Sequence, residues 1–145
     1  MDDLFEIKNE KDIVCFLDQC EYFHDSCIFE IHYKSGAYVS ENLTMHPVNS
    51  VNTLTIQFHS QNETCRRFDV VFTDLIHFHF TPLPCRYSCE IFKGKLMQRN
   101  GVFYWSPEDE FDPEDVSCLT DNNTTWVCCK KIKWRIYDAE SGHNN

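Results

Sequence analysis

From residue 53 to residue 80 the chain alternates apolar and polar side chains with a period of two, and no other feature narrows its fold as far. In "TLTIQFH" (53–59) Leu54, Ile56 and Phe58 alternate with Thr53, Thr55, Gln57 and His59. "RFDVVFTD" (67–74) repeats the pattern through Phe68, Val70 and Phe72, and the turn-forming "SQNET" stands between the two runs. Successive side chains of a strand point to opposite faces, so these runs are half-buried strands, and the short polar turn joins them as an antiparallel hairpin. "LIHFHF" (75–80) continues the period with Ile76, Phe78 and Phe80 against Leu75, His77 and His79, until Pro82 and Pro84 forbid a further strand. Residues 67–80 then form either a strand, a tight turn at Thr73 and Asp74 and a second strand, or one long bent strand with a bulge; the pattern allows both.

Elsewhere the period changes. "DIVCFLDQCEYF" (12–23) spaces Ile13, Phe16, Leu17, Cys20 and Phe23 by threes and fours, which predicts a helix over about 12–24 with Asp12 as its N-cap. Ile28 to Tyr33 returns to a period of two, with Phe29, Ile31 and Tyr33 on one face. Asn100-Gly101 between "KLMQR" and "VFYW" suits a type I′ hairpin turn, and "TWVCCKKIKWRIYD" ends the series with Ile132, Trp134 and Ile136 inward and Lys131, Lys133 and Arg135 outward. The expected fold is mainly β (α+β): an antiparallel β-sandwich or strongly curved sheet of about seven or eight strands with one N-terminal helix. One domain is expected over 1–145, with a β-rich body over about 27–137 and a frayed tail at 139–145. There is no strand-helix-strand alternation and no glycine-rich loop, so a dinucleotide or P-loop fold has no support.

Charge narrows the partners. Thirteen Lys and Arg against 23 Asp and Glu leave a net charge of -10, which repels a phosphate backbone and favours a basic protein partner. The opening "MDDLFEIKNEKD" lacks the basic and apolar regions of a signal peptide, and no run is long and apolar enough to span a bilayer. A cytoplasmic protein is expected, whose nine cysteines stay reduced.

Three clusters hold residue types that can do chemistry. His77 and His79, at i and i+2 on a strand, point both imidazoles to one face, and with His24 they are a candidate metal set; the plainer reading places them on the less buried face of the sheet, with no metal and no cofactor. Cys27 lies near His24 and Asp25 as a nucleophile with its base and orienter would, yet the same residues cap helices and start turns. Cys85 and Cys89 are spaced C-x3-C and Cys128 and Cys129 are adjacent, so neither pair makes a zinc ribbon, and most cysteines read as small buried apolar groups. The acidic run "SPEDEFDPEDVS" (106–117) has no EF-hand pattern. It is either a solvated loop or a patch for a basic partner, standing out as an ordered projection on its prolines, Trp105 and Phe111. Asn42, Asn62, Asn122 and Asn123 open glycosylation sequons that, in a reduced compartment, read as Asx turns.

The stretch "FHDSCIFEIHYKSGAYVSENLTMHPVNSVNTLTIQF", with "YSCEIFKGKLMQRNGVFYWS" and "TWVCCKKIKWRI", resembles a group of small uncharacterised bacterial proteins with a Phe-His-Asp opening. More loosely, the helix-HDS-strand opening is similar to that of β-rich immunity proteins of bacterial polymorphic-toxin systems. That resemblance implies a non-enzymatic protein that binds and neutralises a bacterial toxin. The same small acidic profile suits an inhibitor of a defence nuclease, of the anti-CRISPR type. The expected contact residues are Glu108, Asp109, Glu110, Phe111, Asp112, Glu114, Asp115 and Tyr38, with the loops "SGAYV" (35–39) and "MHPVN" (45–49) beside them. A metal-dependent or thiol-based enzyme using His24, Asp25, Cys27, His77 and His79, and a small-ligand binding sandwich, are the alternatives.

Overall fold

A computed structural model of the chain describes residues 3–114 and 124–137. In chain order it has β1 (Phe5–Ile7), α1 (Glu10–Gln19), β2 (Ser26–Lys34), β3 (Tyr38–Val39), β4 (Met45–His46), β5 (Thr53–Ser60), β6 (Arg67–His79), β7 (Lys95–Arg99), β8 (Val102–Ser106) and β9 (Trp126–Ile136). One antiparallel sheet runs β2-β5-β6-β9-β8-β7, with β1 added to β9, while β3 and β4 form a separate two-stranded hairpin. The expected tail at 139–145 lies outside the described residues.

Of the two expected architectures, the curved sheet is the one found. Phe58 on β5 and Trp105 on β8 are separated by β6 and β9, about 14 Å in a flat sheet, yet their ring centroids are 5.5 Å apart. The sheet therefore curls around its own aromatic side chains. A bridge between Ser26 and Ile91 brings the segment leading into β7 against the start of β2, drawing the two ends of the sheet together. Helix α1 covers the concave face with Ile13, Phe16 and Leu17, and its Phe16 meets Trp134 at 4.7 Å.

Bulges decide which side chains face inward. Residues 67–79 are one strand, bent at Asp74 (φ 54), with a register shift between Leu75 and His77. Leu75 and Phe78 join the core and Ile76 is turned out, so the expected Ile76–Phe78–Phe80 face is broken. In β2 the register shifts between Ile28 and Glu30. Ile28 and Ile31 pack on the core while Phe29 stacks outside on His59 at 4.1 Å, so Phe29, Ile31 and Tyr33 do not share a face.

The helix is shorter than its periodicity implied. Asn9, not Asp12, is the N-cap: its side chain accepts the Asp12 N–H at 3.0 Å, and Asp12 in turn accepts the Lys8 N–H at 2.8 Å. The helix stops at Gln19 because Glu21, Tyr22 and Phe23 all take left-handed φ values, 52, 57 and 66, as does Asp25 at 60. Such residues cost roughly 1–2 kcal/mol each. The offset is the Phe23 ring, 0% exposed, which touches Phe16, Phe58, Phe68 and Trp105 at centroid distances from 5.1 to 5.7 Å. The Ser26 hydroxyl donates to the Phe23 carbonyl at 2.5 Å and the Gly94 N–H to that of Tyr22 at 2.7 Å, tying the corner from both sides.

The convex face carries an ion pair with a buried carboxylate, Asp69. Asp69 Oδ2 accepts from Arg135 Nε at 3.0 Å and Nη2 at 2.9 Å and from the Tyr137 hydroxyl at 2.6 Å. Arg135 does point away from the core, but it is held rather than free. Arg135→Met leaves a buried carboxylate uncompensated and should cost about 2–3 kcal/mol, below the 3–5 kcal/mol typical of a wholly buried pair, because the arginine side chain is 35% exposed. Urea titration of the single variants and of Arg135→Met with Asp69→Asn checks this; additive losses would mean the two residues do not interact.

Candidate functional site

The acidic segment is built onto the sheet rather than projecting from it. Ser106 is buried at the end of β8; its hydroxyl donates to the Thr125 carbonyl at 2.8 Å and accepts the Glu108 N–H at 3.1 Å. Lys93 bridges to Glu108 through its backbone and reaches Asp109 at 3.9 Å, and Lys95 Nζ donates to the Phe111 carbonyl at 2.8 Å. Phe111, expected among the contact residues, turns inward to 4% exposure and packs on Trp126 at 5.8 Å. It anchors the loop and is not offered to a partner. Asp112 and Glu114 are drawn to Arg99 at 3.7 and 3.4 Å. Glu108, Asp109 and Glu110 remain exposed, and Asp115 lies outside the described residues.

These three carboxylates form one rim of a cleft of about 1120 Å³. Its other walls are Ile28 to Ile31 of β2 and the crossover segment, residues 80–93. Both ends of that segment are fastened. Near its start the Thr81 N–H donates to the Thr125 hydroxyl at 3.0 Å. At its end Ile91 accepts the Asp25 N–H at 3.1 Å and donates to the Ser26 carbonyl at 2.8 Å, and His24 Nδ1 meets the Phe92 carbonyl at 2.9 Å. The His-Asp-Ser corner therefore closes one end of the cleft. Between the anchors Leu83 and Tyr87 stay exposed, and so does the Phe92 ring at the far anchor, by 74%. Glu30 and Glu90 add to the three rim carboxylates, against Arg86 and Lys93 as the cations, so the lining carries an excess of negative charge.

The other expected site residues are dispersed. His77 stacks on Trp126 at 4.4 Å and His79 Nδ1 meets the Thr124 carbonyl at 2.7 Å, whereas His24 belongs to the corner. Among the described residues no group of three or more His, Cys, Asp or Glu side chains could hold a metal ion. The two nitrogens of His24 face the Phe92 carbonyl and, at 3.4 Å, Asp25, which is a corner's hydrogen bonding and not a base directed at Cys27. Partial burial, and then the charge of Cys89, push the Cys27 thiol up, opposite to what a nucleophile needs. Cys128 and Cys129 face opposite sides as expected, one in the convex cluster with Phe111 and the other in the core.

Tyr38 and the two loops flagged with it form the β3–β4 hairpin, outside the cleft. Tyr38 stacks on His46 at 4.5 Å, and Leu43 at the tip is 84% exposed. Asn42 accepts the Ser40 hydroxyl and the Thr44 N–H, and Asn62 accepts the Thr64 N–H at 3.0 Å, so both sequons are Asx turns. Asn122 and Asn123 lie outside the described residues.

Residues 80–94 are the part of the site that sequence reasoning passed over. Phe80 reads as a strand end and Cys85 and Cys89 as a candidate metal pair, but the large apolar residues Leu83, Tyr87, Ile91 and Phe92, in a stretch with two prolines and no period, carry no signal of a contact role. In comparisons with family models, curated proteins and solved structures, nothing matched this chain.

Proposed function

We propose that this protein is a non-enzymatic, stoichiometric binding protein that neutralises a basic protein partner, either a bacterial toxin or a defence nuclease. The observation that supports this is the cleft: apolar walls from β2 and residues 80–93 under a rim of exposed carboxylates at 108–110. Apolar area provides affinity and the rim steers and selects an oppositely charged surface. The same reading places the protein in the cytoplasm, where thiols such as Cys15, Cys85 and Cys89, all exposed, stay reduced. No helix among the described residues is long and apolar enough to cross a membrane.

The test is co-expression with the toxins and nucleases encoded beside its gene. A 1:1 complex by light scattering and restored growth are expected with one of them. Glu108→Lys with Asp109→Lys and Glu110→Lys should weaken that complex at least tenfold, more at low salt than at high, and leave the thermal midpoint near wild type, because all three residues are exposed. No restored growth and no complex with any candidate, or a complex indifferent to the three reversals, would sink it. A small apolar ligand is the second reading, favoured by the aromatic lining of the cleft; a metabolite panel would then raise the thermal midpoint without any protein partner.

A further inference from the structure

Resting on that reading, we infer that the element recognised is an extended, basic segment of the partner, added as a further strand to the outer edge of β2 and lying in the cleft. β2 is the terminal strand of the sheet, and among the described residues nothing pairs with its outer edge beyond the single bridge at Ser26. An open edge presents a row of unpaired N–H and C=O groups to any extended chain that reaches it. The bulge at Phe29 disturbs only the first part of the strand. From Glu30 to Lys34 the ladder to β5 is unbroken, from Glu30 opposite Gln57 to Lys34 opposite Thr53, so the edge is regular from Glu30 and Ile31, which border the cleft, on to Lys34 beyond it.

The cleft beside that edge has the shape and chemistry for a strand. Residues 80–93 meet β2 at the Ser26–Ile91 bridge and, with Ile28 to Ile31 and residues 107–110, enclose a cleft of about 1120 Å³, room enough for a short extended segment. An added strand directs alternate side chains to opposite sides. One set meets the apolar groups of Ile28, Ile31, Phe80 and Phe92; the other meets Glu30 and the carboxylates of Glu108, Asp109 and Glu110. The complementary segment therefore alternates apolar residues with Lys or Arg. The same carboxylates repel a phosphate backbone, which removes nucleic acid as the occupant.

The probe is an array of acetylated heptapeptides that alternate Lys or Arg with Val, Ile, Leu, Phe or Tyr, with all-Glu counterparts of each. The inference expects binding by members of the basic set and none by the acidic set. N-methylation of alternate backbone amides in the best binder should weaken it at least tenfold, since that removes ladder donors without changing charge. Hydrogen exchange of β2 amides between Phe29 and Lys34 should slow at least tenfold on binding. Phe92→Ala, at an exposed wall position, should weaken binding severalfold without unfolding the protein. Binding that ignores N-methylation and leaves β2 exchange unchanged overturns strand addition. The same exchange measurement on the co-expressed complex separates the two readings. A 1:1 complex with β2 unprotected overturns this inference alone, while neither a complex nor a bound peptide overturns both.

Discussion

Phe23→Ala is expected to cost about 3–5 kcal/mol of stability, the range for removing a fully buried aromatic ring. Phe23 is the ring on which α1, β5, β6 and β8 converge, through Phe16, Phe58, Phe68 and Trp105. Its loss opens a cavity and leaves the left-handed turn at Glu21 and Tyr22 without the burial that holds it. Gly94→Ala attacks the contact from the other side: a Cβ there would lie 2.7 Å from Cδ2 of the Phe23 ring, so the ring or the crossover segment must shift, at about 1–3 kcal/mol. Phe29→Ala, an exposed phenylalanine six residues away, should cost well under either. Urea unfolding of the three variants reads this directly. A loss below about 1 kcal/mol for Phe23→Ala would show that the corner is held by something else. Because Gly94 and Ile91 bind the same corner, either core variant should also loosen one end of the cleft, seen as faster amide exchange at residues 91–94.

Alkali should unfold the protein steeply. Burial pushes the thiols of Cys20, Cys65 and Cys129 from the ordinary 9.0 up to about 12. Between those two values the unfolded chain has released the thiol protons and the folded chain still holds them. Stability is therefore full below about pH 9 and falls as the pH rises towards 12, with a limiting slope of about 1.4 kcal/mol per pH unit for each thiol. Three such thiols acting together remove a large share of an ordinary stability of about 5–15 kcal/mol before about pH 12. Tyr137, its hydroxyl pushed up by burial and by donating to Asp69, acts in the same direction above pH 10. Urea midpoints measured from pH 7 to 11 should be level at first and then drop. Cys20→Ala should make the slope measurably shallower, which separates the thiol contribution from general alkaline repulsion. A midpoint level to pH 11, or a slope unchanged in that variant, would contradict the assignment.

The strands were legible where local pattern and burial agree. Asn100 (φ 54) and Gly101 (φ 76) make the expected turn between β7 and β8, because that geometry demands positive φ at both central residues. β5 and β6 pair as the alternation required, and Ile132 and Trp134 face inward from β9. Errors entered where one residue breaks the period. The bulges at Phe29 and Leu75–Ile76 each shift the phase of every residue beyond them, and hydropathy does not mark an inserted residue. The helix end was misplaced for a related reason: Phe23 has helical spacing from Phe16 and Cys20, but reaches the core through a left-handed turn. Phe111 looked like an exposed anchor in an acidic run and is a buried one, because Lys95 holds the loop backbone down and Trp126 receives the ring.

Local pattern was enough for β2 and β5 to β9, the turn at Asn100-Gly101, the amphipathic helix and the acidic charge, since each depends on residues within a few positions of one another, whereas β1 and the β3–β4 hairpin, two or three residues per strand, are too short to show a period. The curl of the sheet into one concave core, the fastening of a crossover segment by His24 and Asp25, and the gathering of an open strand edge, apolar walls and three carboxylates around one cleft come from long-range contacts. The contacts responsible join residues 68 apart, as in His24 with Phe92, or 44 apart, as in Thr81 with Thr125. Contacts of that span have no period to leave in a sequence. They follow from how the whole sheet twists and which edges it leaves unpaired.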